Sequence, residues 1–227
     1  MKYSRIAGTG SYLPERILTN AELEKKVATT DAWIVERTGI RERHIIGPND
    51  STASMATAAA KKAMEVAQIS AKAIQLMIVA TSTPDKFFPS TACLVQAALG
   101  EDGCPAFDIV AACAGFNYAL SVADQFIRNG VVQTALVIGS ESMSNIIDWE
   151  DRTTCILFGD GAGAARDDAL EQRDKLARNR RGQHAHAHRA CQRICACRRL
   201  QGCRHHHRRC QRLSGGPAKR GCGQGRR

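Results

Sequence analysis

The chain has 227 residues, 44% of them hydrophobic and 5% aromatic, with a formal net charge of +10; this length allows one large domain, or one domain with an appendage. No apolar run approaches the roughly 18 residues of a membrane helix, and the start, MKYSRIAGTGSYLPE, lacks the long apolar core of a secretory signal. A cytoplasmic protein with reduced thiols is therefore expected, with no membrane partner.

The predicted elements run as follows. RIAGT (5–9) reads as a strand. Thr19-Asn20 caps a helix over AELEKKV, and Thr30-Asp31 caps AWIVERT, which Gly39 ends. Ser51-Thr52 opens an Ala/Met-rich helix to about Ala67. LMIVATS (76–82) reads as a buried strand, and Ser90 begins a helix, TACLVQAALG, that stops at Gly100. PAFDIVAAC (105–113) is a strand that runs into Ala114-Gly115 and a helix to about Asn129. ALVIGSE (135–141) and TTCILFG (153–159) read as further buried strands. Strands alternating with helices, apolar on both faces, predict an α/β fold with a largely parallel sheet covered on both sides. FGDGAGAA (158–165) does not meet the GxGxxG pattern, and no amphipathic helix follows it, so it reads as a tight turn rather than a phosphate loop.

The composition changes after Ala165. Residues 166–227 hold 18 of the 32 Lys and Arg, 4 of the 22 Asp and Glu, six of the ten Cys, six of the seven His and no aromatic. The local charge is +14, which leaves −4 on residues 1–165. Five large aliphatics in 62 residues cannot bury enough apolar area to offset chain entropy, so this part is expected to be a disordered basic tail, with a short helix near 168–178.

Cys113 is the most informative residue of the first part. It stands between a buried strand and an apolar helix, where unpaired backbone N–H groups favour an anion. Ala111, Ala112, Ala114 and Gly115 leave room for a substrate, and the Cys113 N–H is available to an oxyanion. On local pattern alone a buried structural thiol is the commoner fate, and the two readings stay open.

The string CPAFDIVAACAGFNYALSVADQFI resembles the nucleophile region of β-ketoacyl-acyl-carrier-protein synthase III. GTGSYLPE, DAWIVERTGIRERH, FPSTACLVQAALG, ALVIGSE and ILFGDGAGAA resemble the same family in the same order, over residues 1–165. The resemblance implies the first half of a thiolase-like, layered α-β-α-β-α fold and a homodimer. It implies an acyltransferase of fatty-acid biosynthesis in which Cys113 takes the acyl group of acetyl-CoA or another acyl-CoA as a thioester. Malonyl-acyl-carrier protein then loses carbon dioxide and attacks that thioester. Trp33, Arg37 and Arg152 match coenzyme A contacts: Trp33 and Arg152 suit an adenine sandwich, and Arg37 suits a phosphate. Phe88 matches a residue that reaches the neighbouring subunit's acyl pocket. No further cofactor and no metal is implied.

The family's catalytic His and Asn lie in stretches resembling PHQAN and GNTS, and neither occurs in the 227 residues. The one His before residue 166, His44, reads as structural. The chain is thus expected to lack full condensation, and a shift of reading frame near codon 166 accounts for the abrupt change in composition. Two alternatives stand beside this reading. One is a non-catalytic fragment that pairs with an intact synthase. The other is a basic tail that binds nucleic acid without sequence preference, or a metal through Cys191, Cys195, Cys197, Cys203, Cys210 and His205–His207. The cysteine spacing fits no common zinc site, and no aromatic is present there for base stacking.

Overall fold

The computed structural model describes residues 3–101 and 103–170. A five-stranded sheet runs in the order β1 (Tyr3–Tyr12), β7 (Asp160–Leu170), β6 (Thr134–Ser142), β4 (Leu76–Ala80) and β5 (Ala106–Ile109). A separate hairpin pairs β2 (Arg16–Thr19) with β3 (Glu42–Ile45). Only β4–β5 and β4–β6 are parallel, whereas β7 is antiparallel to both β6 and β1. The sheet is therefore mixed rather than largely parallel. The parallel expectation failed because β6 returns as β7 through an extended loop with no helical crossover.

Period-two alternation divides the apolar side chains between two faces. Met77, Val79, Leu136 and Ile138 face α3 (Thr52–Ala67) and α4 (Thr91–Leu99). Leu76, Ile78, Ala80, Ala135 and Val137 face α5 (Gly115–Arg128) through Ala119, Ala123 and Ile127. All five residues of β4 are buried, as expected for a strand covered on both sides. A third cluster joins the hairpin to α1 (Asn20–Leu23), α2 (Asp31–Thr38) and the loop after β6, through Leu18, Leu23, Ile34, Ile45, Cys155 and Ile156.

The expected caps are formed. Thr30, Ser51 and Ser90 accept from the backbone N–H three residues on, and Gly39 and Gly100 close α2 and α4 in the left-handed conformation. The helix expected over 21–27 is one turn only, ending at Leu23.

Two expectations near residue 160 are overturned. TTCILFG is not a strand: it belongs to a loop folded around Asp151, which accepts from the Thr153 N–H and hydroxyl and from the Thr154 hydroxyl at 2.6–2.8 Å. GDGAGAA is not a turn but the first part of β7, hydrogen-bonded on both edges. Its small residues reflect close packing under α3, not chain reversal. The strand also continues past Ala165, so Arg166, Asp167 and Asp168 sit in the sheet. The expected disorder therefore does not begin at Arg166, nor the expected helix at Asp168; the rest of both expectations, with the cysteines and histidines beyond Leu170, lies outside the described residues.

Candidate active site

Cys113 lies in a single helical turn, Ala112–Ala114, between the carboxyl end of β5 and the start of α5. Ala112 adopts φ +44°, a left-handed conformation that costs an alanine about 1–2 kcal/mol and turns the chain sharply before the thiol. Cys113 is exposed and free. No side chain caps the first turn of α5, and the Ala114 and Gly115 N–H groups donate to the Ala111 and Ala112 carbonyls of the turn that carries the thiol. Gly115 allows this turn to approach the end of β4: a Cβ there would stand 3.2 Å from that of Ala80. The thiol thus sits beyond the carboxyl ends of the two adjacent parallel strands, where sheets of this kind hold their ligands.

Carboxylates fix the loops around that end of the sheet. Asp108 accepts from the Thr91 and Ala92 N–H groups at 2.7 Å each, which ties β5 to the start of α4. Glu141 accepts from the Ser82 N–H at 2.8 Å and the Thr83 hydroxyl at 2.7 Å. Asp160 accepts from the Ile46 and Ser144 N–H groups at 2.8 Å each. Sequence reading passed over all three, because a carboxylate that staples a distant N–H carries no local signature.

Trp33, Arg37 and Arg152 come together. Helical i,i+4 spacing sets the Arg37 guanidinium 4.4 Å from the indole centroid of Trp33, and Arg152 approaches the same ring at 5.1 Å. Arg152 is oriented by donating to the Ala28 carbonyl at 3.0 Å. Next to it, the hydroxyls of Thr153 and Thr154 hold the Asp151 carboxyl below the usual carboxylate range. Both arginines are exposed, and the indole is half-buried. Phe88 is 85% exposed on the loop before α4, beside a 99% exposed Phe87. His44 has Nδ1 2.6 Å from the Pro14 carbonyl, in line with its structural reading. Among the described residues no group of three or more His, Cys, Asp and Glu is placed to hold a metal, and no helix is long and apolar enough to cross a membrane.

A family model described as 3-oxoacyl-[acyl-carrier-protein] synthase III matches residues 107–176, which include the nucleophile turn, α5, β6 and β7. A β-ketoacyl-[acyl-carrier-protein] synthase III of Thioalkalivibrio sulfidiphilus is 58% identical over 177 residues, covering 78% of this chain and 55% of the relative. Over the matched residues this chain is similar to the β-ketoacyl-acyl-carrier-protein synthase III family. The synthase III of Thiobacillus denitrificans is 62% identical over 165 residues, 72% of this chain and 52% of the relative. The crystal structure of the Aquifex aeolicus synthase III superposes with a TM-score of 0.73 at 54% identity, over 74% of this chain and 55% of that one. The chain spans about half the length of the synthase III relatives it matches. Its mixed sheet between α3/α4 and α5 is the matching portion of their thiolase-like fold.

Proposed function

We propose that this chain carries the acyl-accepting half of a β-ketoacyl-acyl-carrier-protein synthase III, acting at the start of fatty-acid synthesis in the cytoplasm. The observation that carries the reading is Cys113: an exposed thiol on a strained turn at the uncapped start of α5. In the first transfer the Cys113 sulfur attacks the thioester carbonyl of acetyl-CoA or another acyl-CoA. The Cys113 N–H stabilises the oxyanion, and coenzyme A leaves as its thiolate. Trp33 and Arg152 bracket the adenine, and Arg37 meets phosphate. In the second transfer malonyl-acyl-carrier protein loses carbon dioxide, and its carbanion attacks the Cys113 thioester, releasing β-ketoacyl-acyl-carrier protein.

The 227 residues contain no PHQAN-like or GNTS-like stretch to steady the enolate of that second step. The chain by itself is therefore proposed to stop at the acyl-enzyme. Phe88, exposed on its loop, is proposed to serve the acyl pocket of a second subunit in a homodimer. The condensing portion is taken to run past the boundary expected at residue 165, at least through Leu170 where β7 ends, and to be followed by an Arg/Cys/His-rich tail without specific affinity for nucleic acid.

Titration of tryptophan fluorescence with coenzyme A, followed by an assay with acetyl-CoA and malonyl-acyl-carrier protein, tests both halves of the reading. Saturable quenching that disappears in Trp33→Ala, with no β-ketoacyl product, is expected. Quenching unchanged in Trp33→Ala overturns the coenzyme A site, and β-ketoacyl product overturns the arrest at the acyl-enzyme.

A further inference from the structure

A cavity of about 270 Å³ opens between the β2–β3 hairpin and the loop after β6, and Trp33 does not line it. Its floor is aliphatic, made of Leu18, Ile45 and Ile46, and one wall is the indole of Trp149. That ring is oriented by Nε1 donating to the Ser144 carbonyl at 3.1 Å, and Ser144 is itself held by Asp160. Two cations border the cavity: Arg16, and Lys26 with Nζ 5.6 Å from the Trp149 centroid. Neither has an ion-pair partner among the described residues, and no acidic side chain is among the lining.

We propose that this cavity binds a small aromatic carboxylate, with the flat ring against Trp149 and the aliphatic floor and the carboxylate between Arg16 and Lys26. The chemistry follows from the division of the lining. Apolar surface and an indole face reward a planar apolar body, while two cations in a lining that holds no acidic side chain reward one negative charge. The volume falls just under the range of about 300–1,000 Å³ usual for drug-sized ligands, so the ligand is no larger than a fused two-ring acid. This site is independent of the coenzyme A reading, because it shares none of Trp33, Arg37 and Arg152 with it.

The test is a calorimetric titration of the full chain at low ionic strength with 2-naphthoate and with its neutral counterpart 2-naphthamide. Saturable 1:1 binding of the acid is expected, with the amide roughly tenfold weaker, as two exposed charge contacts together predict. Arg16→Gln with Lys26→Gln should reduce acid affinity to that of the amide. Trp149→Leu should weaken both ligands, and Trp33→Ala should change neither. Absence of saturable acid binding, equal affinity for acid and amide, or an undiminished affinity in the double variant overturns the proposal. The acid–amide comparison uses the unaltered chain, so it decides between these outcomes even if a variant misfolds.

Discussion

Asp167 supplies the sharpest stability prediction. Its carboxyl is 3% exposed in β7, between Ile6 of β1 and Ala135 of β6, and lines a cavity of about 400 Å³ together with Asp124 of α5. Burial, followed by the charges of Asp124 and Asp168 and opposed by Arg166, raises its pKa from 3.8 to about 6. A carboxyl whose folded pKa exceeds its unfolded value binds more protons when folded. Its penalty is absent below pH 4, grows as the pH rises towards 6, and is complete above that. A rise of this size corresponds to a penalty of about 3 kcal/mol at pH 7.5. Asp167→Asn removes the ionisation, so urea melts should find the variant more stable than the parent by about 2–3 kcal/mol at pH 7.5, shrinking towards zero at pH 4. Taking the variant–parent difference cancels the other titrating groups. A difference independent of pH, or a variant less stable at pH 7.5, refutes the reasoning.

Three further outcomes are expected. Gly10→Ala should destabilise the fold by about 1–3 kcal/mol or prevent folding, because the new Cβ would stand 2.3 Å from the Ala59 carbonyl of α3; thermal melts check this. Arg43→Leu should cost about 1–3 kcal/mol for each buried acceptor it orphans, since Arg43 donates to the Ile156 carbonyl and the Asn20 side chain at 2.7–3.1 Å; urea melts measure it. Among the four cysteines before residue 166, iodoacetamide at pH 7.5 should modify Cys113 roughly tenfold faster than Cys155 or Cys104, by peptide mass spectrometry. Cys155 is buried, and burial pushes both the Cys155 and Cys104 thiols up.

Local chemistry was legible in the sequence where one residue type has one physical use. Thr30, Ser51 and Ser90 as caps and Gly39 and Gly100 as stops gave α2, α3 and α4 to within a residue or two. Cys113 at a strand–helix junction was legible too, although its left-handed neighbour Ala112 was not, since alanine gives no sign of positive φ. Strand β7 was misread because glycine signals a turn and both glycine and alanine are depleted in strands, whereas here they let the backbone lie under α3. Its continuation through Arg166–Asp168 runs against every local preference and is held by backbone pairing to β1 and β6 on both sides. The convergence of Arg37 and Arg152 on Trp33 needed the resemblance. Helical spacing explains Arg37, but nothing local brings in a residue from the loop after β6.

The central claim is that Cys113 is an acyl carrier. Incubation of the full chain with acetyl-CoA, followed by peptide mass spectrometry, tests it most directly. The account predicts an acetyl group on the Cys113 peptide, released by hydroxylamine as a thioester is, missing in Cys113→Ala and diminished in Arg152→Ala. A folded chain with no acetyl on Cys113, or with acetyl spread equally over its cysteines, would contradict it.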